Sequence, residues 1–355
     1  MIASGAAAGL SAAFNAPIAG LLFVVEEIYH HFSRLIWISA LVASIIANFV
    51  SLYIFGLKPV LAMPKVMPFL ALDHYWILIV MGLFLGVMGF AYEKIILNLS
   101  TGFDKVGKWL HLPQAFYALM VLPLILVIGY LSPNLLGGGN ELIISLSMLK
   151  VNFILVLGYF IVRFIGSMLS YGSGLPGGIF LPILTLGALA GLLFGICFRD
   201  LGLVSQEMMP LFIVLGMAGY FGAISKAPLT GMILVTEMVG DLKPLMSIAV
   251  VTFVAYAIMD LLKGQPIYEA MLEKLPIRHV KDIVEPTLIE LTVGHKLAGK
   301  YVRDLALPKN TLITTQVNHN KSQVVSGDTI LSAGATIFLV VNEPDVGMVR
   351  RLLMS

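Results

Sequence analysis

The sequence predicts a mostly α-helical, polytopic membrane protein built on an inverted repeat with broken helices, followed by a small α+β domain. Three observations carry this. Hydrophobic residues make up 59% of the chain and charged ones 12%, with a mean hydropathy of +0.95, whereas soluble domains are about a quarter charged. The stretch Ala13-Phe-Asn-Ala-Pro-Ile-Ala-Gly-Leu-Leu-Phe-Val-Val-Glu26 returns as Ile224-Ser-Lys-Ala-Pro-Leu-Thr-Gly-Met-Ile-Leu-Val-Thr-Glu237. Its Pro, Gly and Glu match at one constant offset of 211 residues, and paired short or interrupted helices of this kind mark an inverted-repeat transporter. Charge then rises sharply: sixteen Lys, Arg, Asp and Glu fall in residues 277–355 and twenty-six in 1–276. A domain boundary is expected near Leu275–Val280, giving a membrane domain over 1–276 and a separate domain over 277–355.

Taken in order, residues 5–28 are small and apolar with Pro17 inside, and end in Glu26-Glu27 and the polar run Tyr29-His-His-Phe-Ser-Arg34. Residues 35–57 form a clean span stopped by Lys58. A further span covers 75–91, ending at Glu93-Lys94 and a charged connector. Residues 116–131 span again, and Gly137-Gly-Gly-Asn-Glu141 breaks the chain before a short apolar helix. Helices over 152–169 and 179–198 flank a glycine-rich loop. Residues 209–223 and 228–239 are shorter than the roughly 17–25 residues a crossing needs, and 245–262 closes the membrane part. Beyond it, 288–293, 311–317, 322–325 and 335–341 read as strands and 345–353 as a closing helix.

The loop Gly172-Ser-Gly-Leu-Pro-Gly-Gly-Ile-Phe-Leu-Pro182 has four glycines, two prolines and no charge. It ends one apolar helix and starts another. The amides near Gly178, Ile179 and Phe180 then lack intrahelical acceptors and carry the positive helix end. Such a break suits a desolvated anion; a plain Gly/Pro kink fits the composition equally. Glu26 and Glu27 end an apolar helix, where carboxylates either mark the membrane surface or face a partner or pathway. Glu26 has its repeat mate in Glu237, and both read as structural, bonded to nearby backbone or side chains. Arg163, mid-span, calls for snorkelling or a carboxylate partner. Lys226 reads as a surface marker, His30 and His31 as solvated or as proton buffers, and Tyr268 as an interfacial tyrosine.

The lone Cys197 excludes an internal disulfide and reads as a buried, inert thiol. No metal-ligand cluster, P-loop or nucleophile elbow is present, so neither metal, cofactor nor enzymatic activity is expected. A net charge of +2 gives no indication of nucleic-acid binding.

The loop at 172–182, the stretch Gly5-Ala-Ala-Ala-Gly-Leu-Ser-Ala-Ala-Phe-Asn-Ala-Pro-Ile-Ala-Gly-Leu-Leu-Phe-Val-Val-Glu-Glu27 and the segment Gly264-Gln-Pro-Ile-Tyr268 together resemble signatures of the chloride channel (ClC) family. The resemblance runs from residue 1 to about 276. It implies a ClC-type helical fold in a cell (inner or plasma) membrane, with chloride or a similar anion held by Gly178, Ile179, Phe180 and the Tyr268 hydroxyl. It also implies that Glu27 matches the internal glutamate passing protons in the family's antiporters. The family's first helices, with a serine loop and a gating-glutamate loop, would precede Met1, so the chain resembles an N-terminally truncated member.

In the tail, Leu297-Ala-Gly-Lys-x-x-x-Asp-Leu305 and Ser326-Gly-Asp-Thr-x-Leu-x-x-Gly334 resemble the TrkA-C (RCK-C) regulatory domain of potassium-uptake proteins. That departs from the nucleotide-binding pair of domains many family members carry at this end, and implies a cytosolic domain able to take a small ligand or ion. The expected function is proton-coupled anion antiport by a homodimer with one pathway per subunit. The alternatives are a passive voltage- or ligand-gated channel and a membrane-anchored sensor acting through its tail.

Overall fold

Apolar runs punctuated by proline, glycine or polar pairs become helices, and the computed structural model sets them out in sequence order. It describes residues 1–29, 34–57, 59–63, 67–109, 111–113, 116–148, 150–175, 177–274, 286–294, 297–305, 307–308, 311–318, 321–342 and 346–354. Helix α1 (Ile2–Phe14) closes on Asn15, which takes the left-handed conformation at φ 52°. Pro17 then opens α2 (Pro17–Phe23), which runs on as a π-helical turn, Val24–Tyr29. Proline suits this place because the first helical amide has no acceptor to lose. The repeat mate follows the same backbone course. Helix α9 (Met209–Ser225) closes on left-handed Lys226 at φ 56°, and Pro228 opens α10 (Pro228–Val239). Asn15 and Lys226 are 211 residues apart, the offset of the sequence repeat.

Between them lie α3 (Arg34–Phe55), α4 (Tyr75–Trp109), α5 (Tyr117–Leu131), α6 (Asn140–Met148), α7 (Phe153–Gly172) and α8 (Phe180–Asp200). Helices α11 (Leu245–Leu261) and α12 (Ile267–Lys274) complete the set. Among the described residues, five helical runs are long and apolar enough to cross a membrane: Leu35–Phe55, Leu72–Trp109, Phe153–Gly172, Phe180–Asp200 and Gln206–Ser225. Three expectations need correction. The span at 75–91 does not stop at Glu93-Lys94 but runs 35 residues to Trp109, because Glu93 is buried within the protein and no proline follows it before Pro113. The segment at 209–223 gains the 3-10 turn Gln206–Met208 and reaches 20 residues, a full crossing. Helix α5 has 15 residues with Pro123 inside, short of one. The expected stop at Lys58 lies outside the described residues.

Every residue of α9 is buried, and α8 lies directly against it. Glycines make the approach possible: a Cβ at Gly191 would overlap the Phe212 carbonyl, and one at Gly216 the Gly187 carbonyl. Small residues at helix crossings let backbones meet where no water is available to drive association. The Phe212 carbonyl belongs to a buried helix and has little room to yield. Gly191→Ala is therefore expected to cost about 1–3 kcal/mol as overpacking, read as a lower thermal midpoint of the detergent-solubilised protein.

The chain divides into two compact units, Met1–Leu275 and Pro276–Ser355. The stretch Leu275–Val280, where the boundary is expected, lies outside the described residues. In the second unit, β1 (Pro286–Thr292), β2 (Leu312–Asn318), β3 (Lys321–Val324) and β4 (Thr336–Asn342) form an antiparallel sheet in the order β1-β4-β2-β3. Alternate residues Ile337, Leu339 and Val341 of β4 are buried. Helix α13 (Val346–Met354) adds Val349 and Leu353 to that core. The two quoted tail motifs meet each other: Gly299 N–H donates to the Leu331 carbonyl at 2.8 Å, Leu331 N–H to that of Lys300 at 3.0 Å, and Arg303 pairs with Asp328.

Candidate functional site

Helix α7 ends at Gly172, whose Cα packs against the Phe103 ring of α4 with no room for a Cβ. Gly174 follows at φ +76°, a left-handed turn that glycine adopts without strain. Pro176 lies outside the described residues. Ile179 caps α8, and its carbonyl accepts the first helical bond, from Ile183 N–H at 3.0 Å. The opening turn of α8 therefore has free-standing amide positions at its positive end. Gly178, Ile179 and Phe180 line a cavity of about 710 Å³, together with Tyr92 and Arg163.

Arg163 is buried, and its partners are not those expected. It donates at 2.6 Å to the carbonyl of Leu135 and at 2.6 Å to that of Gly137, and no carboxylate pairs with it among the described ion pairs. Thr185 donates to the adjacent Gly138 carbonyl at 2.7 Å. The chain from Leu135 into the glycine break turns its carbonyls inward, and a guanidinium fork reaches those of Leu135 and Gly137 where a carboxylate would reach none. This loop forms one wall of the cavity.

Tyr268 is not among the residues lining that cavity. It opens α12, with its ring edge-on to Phe23 at 6.0 Å and its hydroxyl buried without a partner among the described residues. Burial holds the hydroxyl protonated to higher pH than usual, and nearby Glu27 and Tyr92 push it further. Tyr92 lines the cavity and also acts electrostatically on Tyr268.

Glu27 sits on the π-helical turn, outside the five crossing runs. It is 8% exposed, and its Oε1 has no hydrogen-bond partner among the described residues. Burial, then the charges of Glu26 and Glu269, push its carboxyl up to about 8. Its neighbour Glu26 faces elsewhere: Oε1 accepts from Leu229 N–H at 3.2 Å, and Oε2 from Thr230 N–H at 2.7 Å and Thr230 Oγ1 at 2.8 Å. Glu237 accepts from Ile18 N–H at 3.1 Å and Ala19 N–H at 2.9 Å.

The remaining candidates fall into place by contact. Lys226 is more than a surface marker: its Nζ meets Asp260 at 2.7 Å and the Gly264 carbonyl at 3.3 Å, tying down the turn before Tyr268. Cys197 is exposed on the outside of α8 rather than buried, since apolar neighbours signal lipid as readily as a protein core. His30 and His31 lie outside the described residues. Sequence reading missed Glu93, whose side chain is fully buried with Oε2 unpartnered among the described residues. The Glu-Lys pair resembled the end of a span, and no local signal separates the two cases.

A family model described as voltage gated chloride channel matches residues 1–260, and one described as TrkA-C domain matches 287–354. The H(+)/Cl(-) exchange transporter ClcA of Vibrio parahaemolyticus is 36% identical over 282 residues, covering 77% of this chain and 59% of that protein. ClcA of Salmonella paratyphi B is 32% identical over 281 residues, with 77% and 58% covered. The chain thus spans somewhat under three-fifths of these relatives. Among solved structures, a slow cyanobacterial Cl-/H+ antiporter superposes with a TM-score of 0.67 at 29% identity, over 77% of this chain and 64% of that one. A CLC-type fluoride/proton antiporter, at 24% identity and a TM-score of 0.61 over 75% and 63%, shares the fold.

Proposed function

The chain belongs to the voltage-gated chloride channel family as a multi-pass membrane protein with a TrkA-C tail, and from that premise we propose that it exchanges chloride or a similar anion for protons. The observation that carries the reading is Glu27. A buried carboxyl with a free oxygen, protonated near neutral pH, accepts and releases protons at a cost that a surface carboxylate does not meet. A passive channel of the same family has no use for it. The relatives above are named as transporters, and transport rather than catalysis is the activity proposed.

In this reading the amides of Gly178, Ile179 and Phe180 replace the anion's water, and the Tyr268 hydroxyl donates from α12. The free hydroxyl of Tyr268 and the helix start at Phe180 support it. The protein acts as a homodimer with one pathway per subunit, and the tail, residues 277–355, is a regulatory domain open to a small ligand or ion. Imposing a chloride gradient on liposomes should drive protons uphill, recorded as internal pH. Chloride flux without proton movement would establish the passive channel instead, and no flux of either ion the sensor.

Two further outcomes follow from the site. Tyr268→Phe removes one donor to an anion, a loss of about 1.5–3 kcal/mol for a bond to a charged partner. Chloride affinity by calorimetry should fall roughly ten- to hundred-fold. Residues 277–355 expressed alone should be soluble and give a β-rich circular dichroism spectrum with cooperative melting, since β1–β4 and α13 enclose their own apolar core. A spectrum without ordered structure would refute an independent domain.

A further inference from the structure

Glu26 and Glu237 stand 211 residues apart, and so do the amides they hold: Ile18 and Ala19 for Glu237, Leu229 and Thr230 for Glu26. Each carboxylate sits on the last turn or beyond of its own helix and caps the first turn of the other. The helix from Pro17 to Tyr29 and α10 therefore hold each other at both ends, through five hydrogen bonds that close a loop. Amides at a helix start lack intrahelical acceptors and carry positive potential, so a carboxylate there is bound by charge-assisted bonds. Sliding or rotating one helix against the other breaks bonds at both ends at once.

We propose that Glu26 and Glu237 are positioning residues, a single reciprocal interlock between the repeats that fixes where the Glu27 carboxyl stands. Glu27 follows Glu26 directly on the π-helical turn. Successive side chains on a helical turn point roughly a quarter-turn apart, so of two adjacent carboxylates one is bound to α10 and the other faces the interior. Glu237 touches neither Glu27 nor its turn; it holds the far end of the same helix. The interlock stands on its hydrogen bonds alone, whereas its consequence for transport rests on the proton role proposed for Glu27.

The clean test is therefore Glu237, because removing Glu26 also removes a charge acting on Glu27. The purified full chain, Glu237→Gln and Glu237→Ala are titrated by infrared spectroscopy, with the Glu27 carboxyl band identified by its loss in Glu27→Gln. Among the described residues, Glu26 and Glu269 are the other charges acting on this group and Tyr268 is the titratable hydroxyl it interacts with, and all three stay in place. The Glu27 midpoint is expected to move by about half a pH unit or more in Glu237→Gln, and further in Glu237→Ala. Thermal midpoints of Glu26→Gln, Glu237→Gln and the double variant provide a second reading: one interlock predicts a double loss clearly smaller than the sum of the single losses. An unmoved Glu27 midpoint in folded Glu237→Gln, or additive thermal losses, would overturn the proposal. A moved midpoint in a protein whose chloride flux carries no protons would uphold the interlock and refute the proton role of Glu27.

Discussion

Glu27→Gln is expected to stop uphill proton movement while chloride continues to cross. Gln keeps the size and polarity of the side chain and removes only its exchangeable charge state, so the anion site on α8 should be untouched. The readout is internal pH in liposomes under a chloride gradient; protons still moving uphill in the variant would place their route elsewhere. The same change should alter stability against pH. The folded protein holds the Glu27 proton up to about 8, whereas the unfolded chain releases it near the usual glutamate value of about 4.3. Folding is then favoured most below that value and weakens as pH rises through the window to 8. At about 1.4 kcal/mol per pH unit, the loss across the window is on the order of a few kcal/mol. The parent should melt progressively lower between pH 5 and 8, and Glu27→Gln should lose most of that slope, keeping only the smaller one from half-buried Glu237.

Arg163→Met is expected to be the most destabilising change in the cavity wall. The guanidinium is buried and satisfies the Leu135 and Gly137 carbonyls. Met fills most of its volume but donates nothing, which leaves two inward carbonyls unpaired at about 1–3 kcal/mol each. Relief of the buried charge offsets part of this, so the net loss should be roughly 2–4 kcal/mol, measured by thermal or denaturant unfolding. Arg163→Lys, with one compact ammonium, cannot fork between both carbonyls, and should recover part of the loss. A Met variant as stable as the parent would mean the glycine loop is held by Thr185 alone.

Much of this architecture was legible because it rests on local chemistry. Pro17 and Pro228 can only open helices, the glycines of 172–182 can only break one, and the strands of the tail alternate. The repeat located both carboxylate mates as structural groups, while the reciprocity of their bonds is visible only in the fold. What stayed hidden depends on what an apolar residue faces. Cys197 and Glu93 were misread for the same reason. Hydropathy scores lipid-facing and protein-facing surfaces alike, and a buried carboxylate inside a helix bundle looks like the end of a span. The acceptors of Arg163 were equally out of reach, because a backbone carbonyl has no signature in sequence.

Helix α4 is longer than the membrane it crosses. Its 35 residues, at about 1.5 Å each, make a rod of roughly 52 Å set in hydrocarbon about 30 Å thick. A rod of that length leans or protrudes, and each ångström of mismatch carries a small energetic charge. Tyr92, on the cavity wall, rides on this rod, as does Glu93. A thinner bilayer favours more lean and a thicker one less, and the cavity wall turns with the lean. Through the tilt of α4, bilayer thickness bears on the wall that Tyr92 contributes to the cavity.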